Sequence, residues 1–167
     1  RTCYHPLLDL IEETGVPIGI ELTGWTLRQI ERIDNSWIER FKTLLNSNSC
    51  ELIGSGYCQI IGPLVPYKVN EWNQKLGIDA YKKILDCRPK IVLVNEMAFS
   101  SSLVDLYSQF GYKGFIMDRD NIKLALYSSN STSNKMPTHA KGVDGAVIPV
   151  LWSDSILFQK VQHFAHG

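Results

Sequence analysis

The sequence predicts an α/β protein built on a mainly parallel sheet. Strand-like and helix-like segments alternate along the chain, the strands are short apolar or β-branched runs, and polar, chemistry-bearing residues follow each of them. The 167 residues amount to about one domain at roughly 100–200 residues each, and 44% hydrophobic with 20% charged residues is a globular composition. Lys plus Arg and Asp plus Glu both number 17, so the formal net charge is zero. That balance argues against a nucleic-acid face built on bulk charge and against a polybasic membrane anchor. No run approaches the ~18–20 apolar residues of a spanning helix.

Each element follows from its pattern. Leu7, Leu8, Leu10 and Ile11 form the apolar stripe of a first helix that stops at Gly15 and Pro17. Residues 18–22 are a short β-branched strand, and residues 25–33 read as helical. A second helical stripe uses Trp37, Ile38, Phe41, Leu44 and Leu45. Residues 50–53 are the next strand, followed by the turn Gly54-Ser55-Gly56-Tyr57. Pro63 and Pro66 demand an irregular connection. Residues 69–85 carry the longest helical pattern, with Trp72, Leu76, Tyr81, Ile84 and Leu85 as core candidates and a weak point at Gly77. Strands at 91–94 and 115–118 flank a helix over 103–110, and a strand at 147–151 precedes a last helix over 155–164. The Ser- and Asn-rich stretch 128–134 is expected to be a surface loop.

In parallel α/β folds the chemistry gathers at the carboxyl ends of the strands. That filter selects Glu21, Thr23 and Trp25; Tyr57, Cys58 and Gln59; Asn95 and Glu96; Asp118, Asp120 and Asn121; Trp152 and Asp154. Glu96 ranks first, because a strand-end carboxylate partly desolvated by Met97 and Phe99 can act as nucleophile or acid/base. The plainer alternative has it capping the next helix or pairing with Arg119. Glu21 and Asp118 are further strand-end carboxylates, and paired carboxylates over a cleft are what glycosidic hydrolysis requires. Trp25, Tyr57 and Trp152 offer rings that can stack on the apolar faces of sugars.

Competing chemistries find less support. The histidines are His5, His139, His163 and His166, and the one close pair sits near the chain end, so no metal site is expected. No G-x-S-x-G elbow and no Walker pattern occur. Cys3, Cys50, Cys58 and Cys87 are widely spaced without zinc-ligand spacing. A reduced, cytoplasmic setting is the simpler reading, with export left open because the chain starts at Arg1 inside a patterned segment.

At this point the residues resemble glycoside hydrolase family 57. Residues 50–59, CELIGSGYCQ, are similar to its second signature region, an acidic strand, a glycine-rich turn, an aromatic and then Glu or His. The continuation 60–66 is similar too, and Asn73 to Gly77 resembles the family's Gln-x-x-x-Gly helix. Residues 89–100 resemble the third region, whose strand end carries the nucleophile, a role the resemblance puts on Glu96. Residues 107–118 and 150–164 are similar to the later segments. Asn95 replaces the Pro before the nucleophile, Leu93 or a neighbour stands where the family has Trp, and Gln59 stands where relatives carry Glu or His.

The resemblance implies a parallel, curved sheet with outer helices, an incomplete (β/α)7 barrel in which residues 1–167 lack the first strand and the C-terminal part of the domain. It implies a retaining hydrolase or transglycosylase for α-glucans or related α-glycosides, with a covalent glycosyl-enzyme on Glu96 and the acid/base beyond Gly167. Glu21, Trp25, Tyr57, Gln59, Asn95, Asp118 and Trp152 are then the expected substrate contacts. The partner is an oligo- or polysaccharide, with no cofactor, and the oligomeric state is not readable. A catalytically inactive carbohydrate-binding or regulatory barrel, favoured by Asn95 and Gln59, is the alternative. A polysaccharide deacetylase-like hydrolase is disfavoured by the missing His pair.

Overall fold

Alternation of Ile18, Ile20 and Leu22 with Gly19 and Glu21 gives the first strand two unlike faces, whereas the next three strands carry apolar residues on both. The computed structural model describes residues 4–119 and 136–166. In chain order the elements are α1 (Tyr4–Thr14), β1 (Ile18–Leu22), α2 (Gly24–Ile33), α3 (Asn35–Asn46), β2 (Cys50–Gly54), α4 (Tyr67–Leu85), β3 (Ile91–Leu93), α5 (Ser101–Gln109), β4 (Gly114–Asp118), β5 (His139–Lys141), β6 (Val147–Ser153) and α6 (Ser155–His166). Short 3-10 turns cover Gly62–Leu64, with Pro63 at its centre, and Asn95–Met97. The sheet order is β1-β2-β3-β4-β6-β5, parallel throughout except for the β5–β6 pair.

Residues paired across parallel strands share a face. Ile20 pairs with Leu52, Val92 with Phe115, and Met117 with Trp152, and this face meets the helices. Its side chains build two core clusters. One gathers Leu8, Ile11, Leu27, Trp37, Ile38, Phe41 and Tyr81 over β1 and β2, and the other gathers Ile78, Leu103, Val104, Leu106, Tyr107 and Tyr112 over β3, β4 and β6. The opposite face carries Glu21, Ile53, Leu93, Ile116, Asp118 and Leu151. Among the described residues this sheet is open, with β1 and β5 at its two edges.

Two expectations about packing are corrected. Leu7 and Leu10 of α1 lie on the exposed side, while Leu8 and Ile11 fill the core. Trp72 and Leu76 are likewise exposed, because α4 turns Asn70, Asn73, Gln74 and Gly77 inward beside its apolar residues. α4 also runs unbroken through Gly77. A Cβ at that position would sit 2.5 Å from the Gly56 carbonyl carbon, so the glycine serves a close backbone approach and not a break. β5 is an addition that sequence reading did not contain. The 128–134 loop, Asp120 and Asn121 lie outside the described residues.

The helix starts have local causes. Thr23 caps α2, its hydroxyl accepting the Thr26 N–H at 3.1 Å, and Asp154 Oδ1 accepts the Leu157 N–H at 3.0 Å at the start of α6. Pro66 immediately precedes α4, where its missing N–H costs no helical bond.

Candidate active site

The turn after β2 is the best-anchored irregular segment. Gly56 has φ +84°, and its Cα lies so close to the Asn73 amide that a Cβ would clash at 2.4 Å. Asn73 Oδ1 accepts the N–H groups of Tyr57 (3.1 Å) and Cys58 (2.8 Å), while its Nδ2 donates to the Cys58 carbonyl at 3.0 Å. The Tyr81 hydroxyl reaches the carbonyls of Leu22 (2.5 Å) and Gly56 (3.0 Å) and accepts the Ser55 N–H at 3.2 Å. Burial pushes the Tyr81 phenol up to about 12, so across the physiological range it keeps its one proton, which the two carbonyls share. The first N–H groups of α2 donate to Gly56 O and Tyr57 O, which ties the strand ends of β1 and β2 together.

From this turn Gln59 extends to the end of β3. Its Nε2 donates to Glu96 Oε1 at 3.0 Å. Beneath Glu96, the Asn95 side chain is only 8% exposed and its Nδ2 donates to the Ser55 carbonyl at 3.1 Å. Glu96 and Met97 both take left-handed backbone angles, φ +53° and +52°, which aim the Glu96 carboxylate away from the core that Val94 enters. Glu96 is exposed, so the expected desolvation by Met97 and Phe99 does not occur; the Phe99 ring stacks on Phe115 instead. Neither plain alternative for Glu96 is realised, since Gln59 is its partner and Arg119 pairs with Asp154 at 3.3 Å.

Register decides which other strand-end residues stand near Glu96. Leu93 pairs with Ile116, so the Asn95–Glu96 turn and Asp118 leave adjacent strands at nearly one level. Asp118 is 7% exposed and pairs across the sheet with Ser153. Glu21 is lower and farther. It is in register with Ile53, then Ile91, then Gly114, four residues before Asp118. At ~3.3 Å per residue and ~4.8 Å per strand, it lies about 13 Å down the strand direction and about 14 Å across from Asp118.

The aromatic candidates divide between two places. Trp25 and Tyr57 meet edge-on with ring centroids 6.3 Å apart over the first turn of α2, with the Arg28 guanidinium 5.4 Å from the Tyr57 ring. Trp152 is on the helix-covered face, where it packs against the second core cluster and donates its indole N–H to the Pro137 carbonyl at 2.7 Å. The structure therefore brings together Gln59, Asn95, Glu96 and the level of Asp118, sets Glu21 lower on the sheet, puts Trp152 on the helix-covered face and turns the Tyr57 ring toward Trp25 and Arg28. Asn73 and Arg28 were not selected from sequence. Asn73 sits in the segment resembling a signature helix, and that was the available signal. Among the described residues no three His, Cys, Asp or Glu side chains cluster as metal ligands, and no helix is long and apolar enough to cross a membrane.

The sequence profile described as Glycosyl hydrolase family 57 matches residues 1–157. The chain belongs to glycosyl hydrolase family 57. Its fold is similar to that of the 4-alpha-glucanotransferase from Thermococcus litoralis, with a TM-score of 0.78 at 19% identity over 95% of this chain and 25% of that one. The family 57-type branching enzyme from Pyrococcus horikoshii gives a TM-score of 0.61 at 17% identity over 88% of this chain and 40% of that one. A family 4 carbohydrate esterase from Streptomyces lividans gives 0.57 at 9% identity, over 90% of this chain and 71% of that one. The family 57 chain thus spans a quarter of the length of the glucanotransferase and less than half that of the branching enzyme. No curated protein matches by sequence.

Proposed function

We propose that this family 57 chain is part of a (β/α)-barrel catalytic domain of a retaining glycoside hydrolase or transglycosylase acting on α-glucans or related α-glycosides, with Glu96 as nucleophile. The observation that carries the reading is the placement of Glu96: it closes β3 on an exposed left-handed turn, with one carboxylate oxygen held by Gln59. The similar proteins described as a 4-alpha-glucanotransferase and a branching enzyme support the substrate class.

In this mechanism a lone pair on Glu96 attacks the anomeric carbon while the glycosidic C–O bond breaks, and the leaving oxygen takes a proton from a second carboxylic acid. The resemblance puts that acid beyond residue 167. Water or a sugar hydroxyl then attacks the glycosyl ester, giving up its proton to the same group, and this choice separates hydrolysis from transfer. Gln59 and Asn95 hold the nucleophile, and Asp118, leaving the sheet level with Glu96 on the next strand, is a further candidate substrate contact.

The test uses the full-length protein and α-glucan oligosaccharides. Glu96→Gln is expected to lower turnover by about 10³-fold or more, because the amide is isosteric but forms no glycosyl ester, and to keep sugar binding. Azide is expected to rescue Glu96→Ala by attacking from the vacated space. A Glu96→Gln variant as fast as wild type overturns the assignment. Glucan binding without turnover of any α-glycoside by wild type favours the inactive carbohydrate-binding barrel.

A further inference from the structure

We propose that Gln59 is a positioning residue for Glu96, a neutral side chain that orients the carboxylate without competing for its proton. The inference rests on the nucleophile reading above. The terminal torsion of a glutamate is broad and roughly two-fold, so an exposed Glu96 needs an external contact to hold one orientation. Gln59 Nε2 supplies it at 3.0 Å on Oε1, which leaves Oε2 to present its lone pair to a reacting carbon.

Both ends of this contact are fixed to one turn. Asn73 pins residues 57 and 58 through three side-chain hydrogen bonds and one to its backbone carbonyl, and Gln59 is the next residue. Asn95 pins the backbone just before Glu96 to the carbonyl of Ser55 in that same turn. The bond therefore closes a loop between two short anchored segments, and little chain entropy is spent in forming it.

The identity of residue 59 matters because the resemblance puts Glu or His there. A carboxylate at 3.0 Å from Glu96 would share a proton with it, since two like charges at that distance do not ionise independently. A histidine would make the contact depend on its own protonation. An amide does neither, so the contact persists wherever Glu96 is ionised.

The experiment has two readouts on the full-length protein. In 15N spectra the Gln59 side-chain amide, assigned through Gln59→Ala, should respond to acid titration in wild type and lose that response in Glu96→Gln. In kinetics on 4-nitrophenyl α-maltoside, Gln59→Ala should lower kcat about tenfold or more with KM changed less than about threefold. Gln59→Glu should move the acidic limb of the kcat/KM profile up by about one pH unit, with activity recovering above it. Gln59 is exposed, so Gln59→Ala should unfold close to the wild-type temperature, whereas Gln59→Glu should match wild type at acid pH, where the pair shares a proton, and fall below it as pH rises. An amide signal that ignores Glu96→Gln overturns the proposal. So does a Gln59→Ala kcat within twofold of wild type together with an unmoved limb in Gln59→Glu. If the amide responds as expected but Glu96→Gln is fully active, the contact stands and the nucleophile reading is what fails, taking the catalytic role of Gln59 with it.

Discussion

Asn95 and Glu96 are consecutive, yet one side chain is buried against the Ser55 carbonyl and the other is exposed beside Gln59. The left-handed angles at Glu96 and Met97 make that divergence and cost about 1 kcal/mol or more each, so the surrounding contacts must hold the turn. Asn95 supplies one of them. In Asn95→Asp the donor to Ser55 O is replaced by a carboxylate facing a carbonyl, which should destabilise the fold by about 1–3 kcal/mol at pH 7. The neutral acid can donate to that carbonyl, so the introduced group holds its proton more tightly in the folded state than in the unfolded one. Stability relative to wild type is then regained as pH falls to about 4 and lost as pH rises. Urea midpoints of variant and wild type at pH 4 and pH 7 check the direction. Strand-end position singles out Glu96 in the sequence, and the same filter names Gln59 and Asn95 beside it. What it does not give is their roles, a hydrogen bond from Gln59 to Glu96 and a buried bond from Asn95 to Ser55, because those depend on the left-handed angles of the turn.

α4 shows the same limit at the scale of an element. Its extent followed from period and from Pro66, but its buried stripe did not follow from apolarity. Trp72 and Leu76 were the natural core choices, and the helix instead buries Asn70, Asn73 and Gln74. These amides have partners in the core: Asn70 donates to Gly62 O at 2.9 Å, Asn73 holds the 57–58 turn, and Gln74 Oε1 accepts the Tyr112 hydroxyl at 3.0 Å. A buried polar group with its bonds made is tolerated, and apolar pattern alone misses such positions. Gly77 is part of the same contact, with Gly56 Cα 2.8 Å and Tyr57 N 2.8 Å from where its Cβ would be. Gly77→Ala should therefore destabilise by about 2 kcal/mol or more, although alanine is favoured over glycine by ~1 kcal/mol in an unobstructed helix. The obstructing atoms are backbone and cannot swing aside. Equilibrium denaturation decides the sign, and a stabilised variant would show that α4 and the 55–58 turn are not in contact. β5 escaped sequence reading for a simpler reason: three residues, His-Ala-Lys, carry too little period to mark an edge strand.

Across the whole molecule, the five parallel strands were legible because each is a compact apolar or β-branched run between helical patterns. Their neighbours in the sheet also follow chain order up to β4, as short right-handed crossovers favour. Which residues of each strand meet helices was less legible, since Ile53 and Leu52 are equally apolar and only register separates them. The helix-covered side holds two core clusters, and each contains buried phenols: Tyr81 in one, Tyr107 and Tyr112 in the other. Burial raises all three above the ordinary tyrosine value of about 10. Their folded forms hold the proton more tightly than the unfolded chain does, so the associated stability is complete below pH ~10. It is lost as pH rises through the folded values, the first of which is Tyr81 at about 12. Each group adds up to ~1.4 kcal/mol per pH unit in that window, so the three together give a slope of about 4 kcal/mol per unit at its steepest. Urea midpoints should thus begin to fall from about pH 9, where the buried Cys50 thiol, raised to about 11, would ionise in the unfolded chain, and fall sharply from pH 10 to 11.5. Absorbance at 295 nm, which follows tyrosinate, should rise for these three only together with unfolding. Full ionisation of all seven tyrosines while the fold persists would show that these phenols are not sealed in the core.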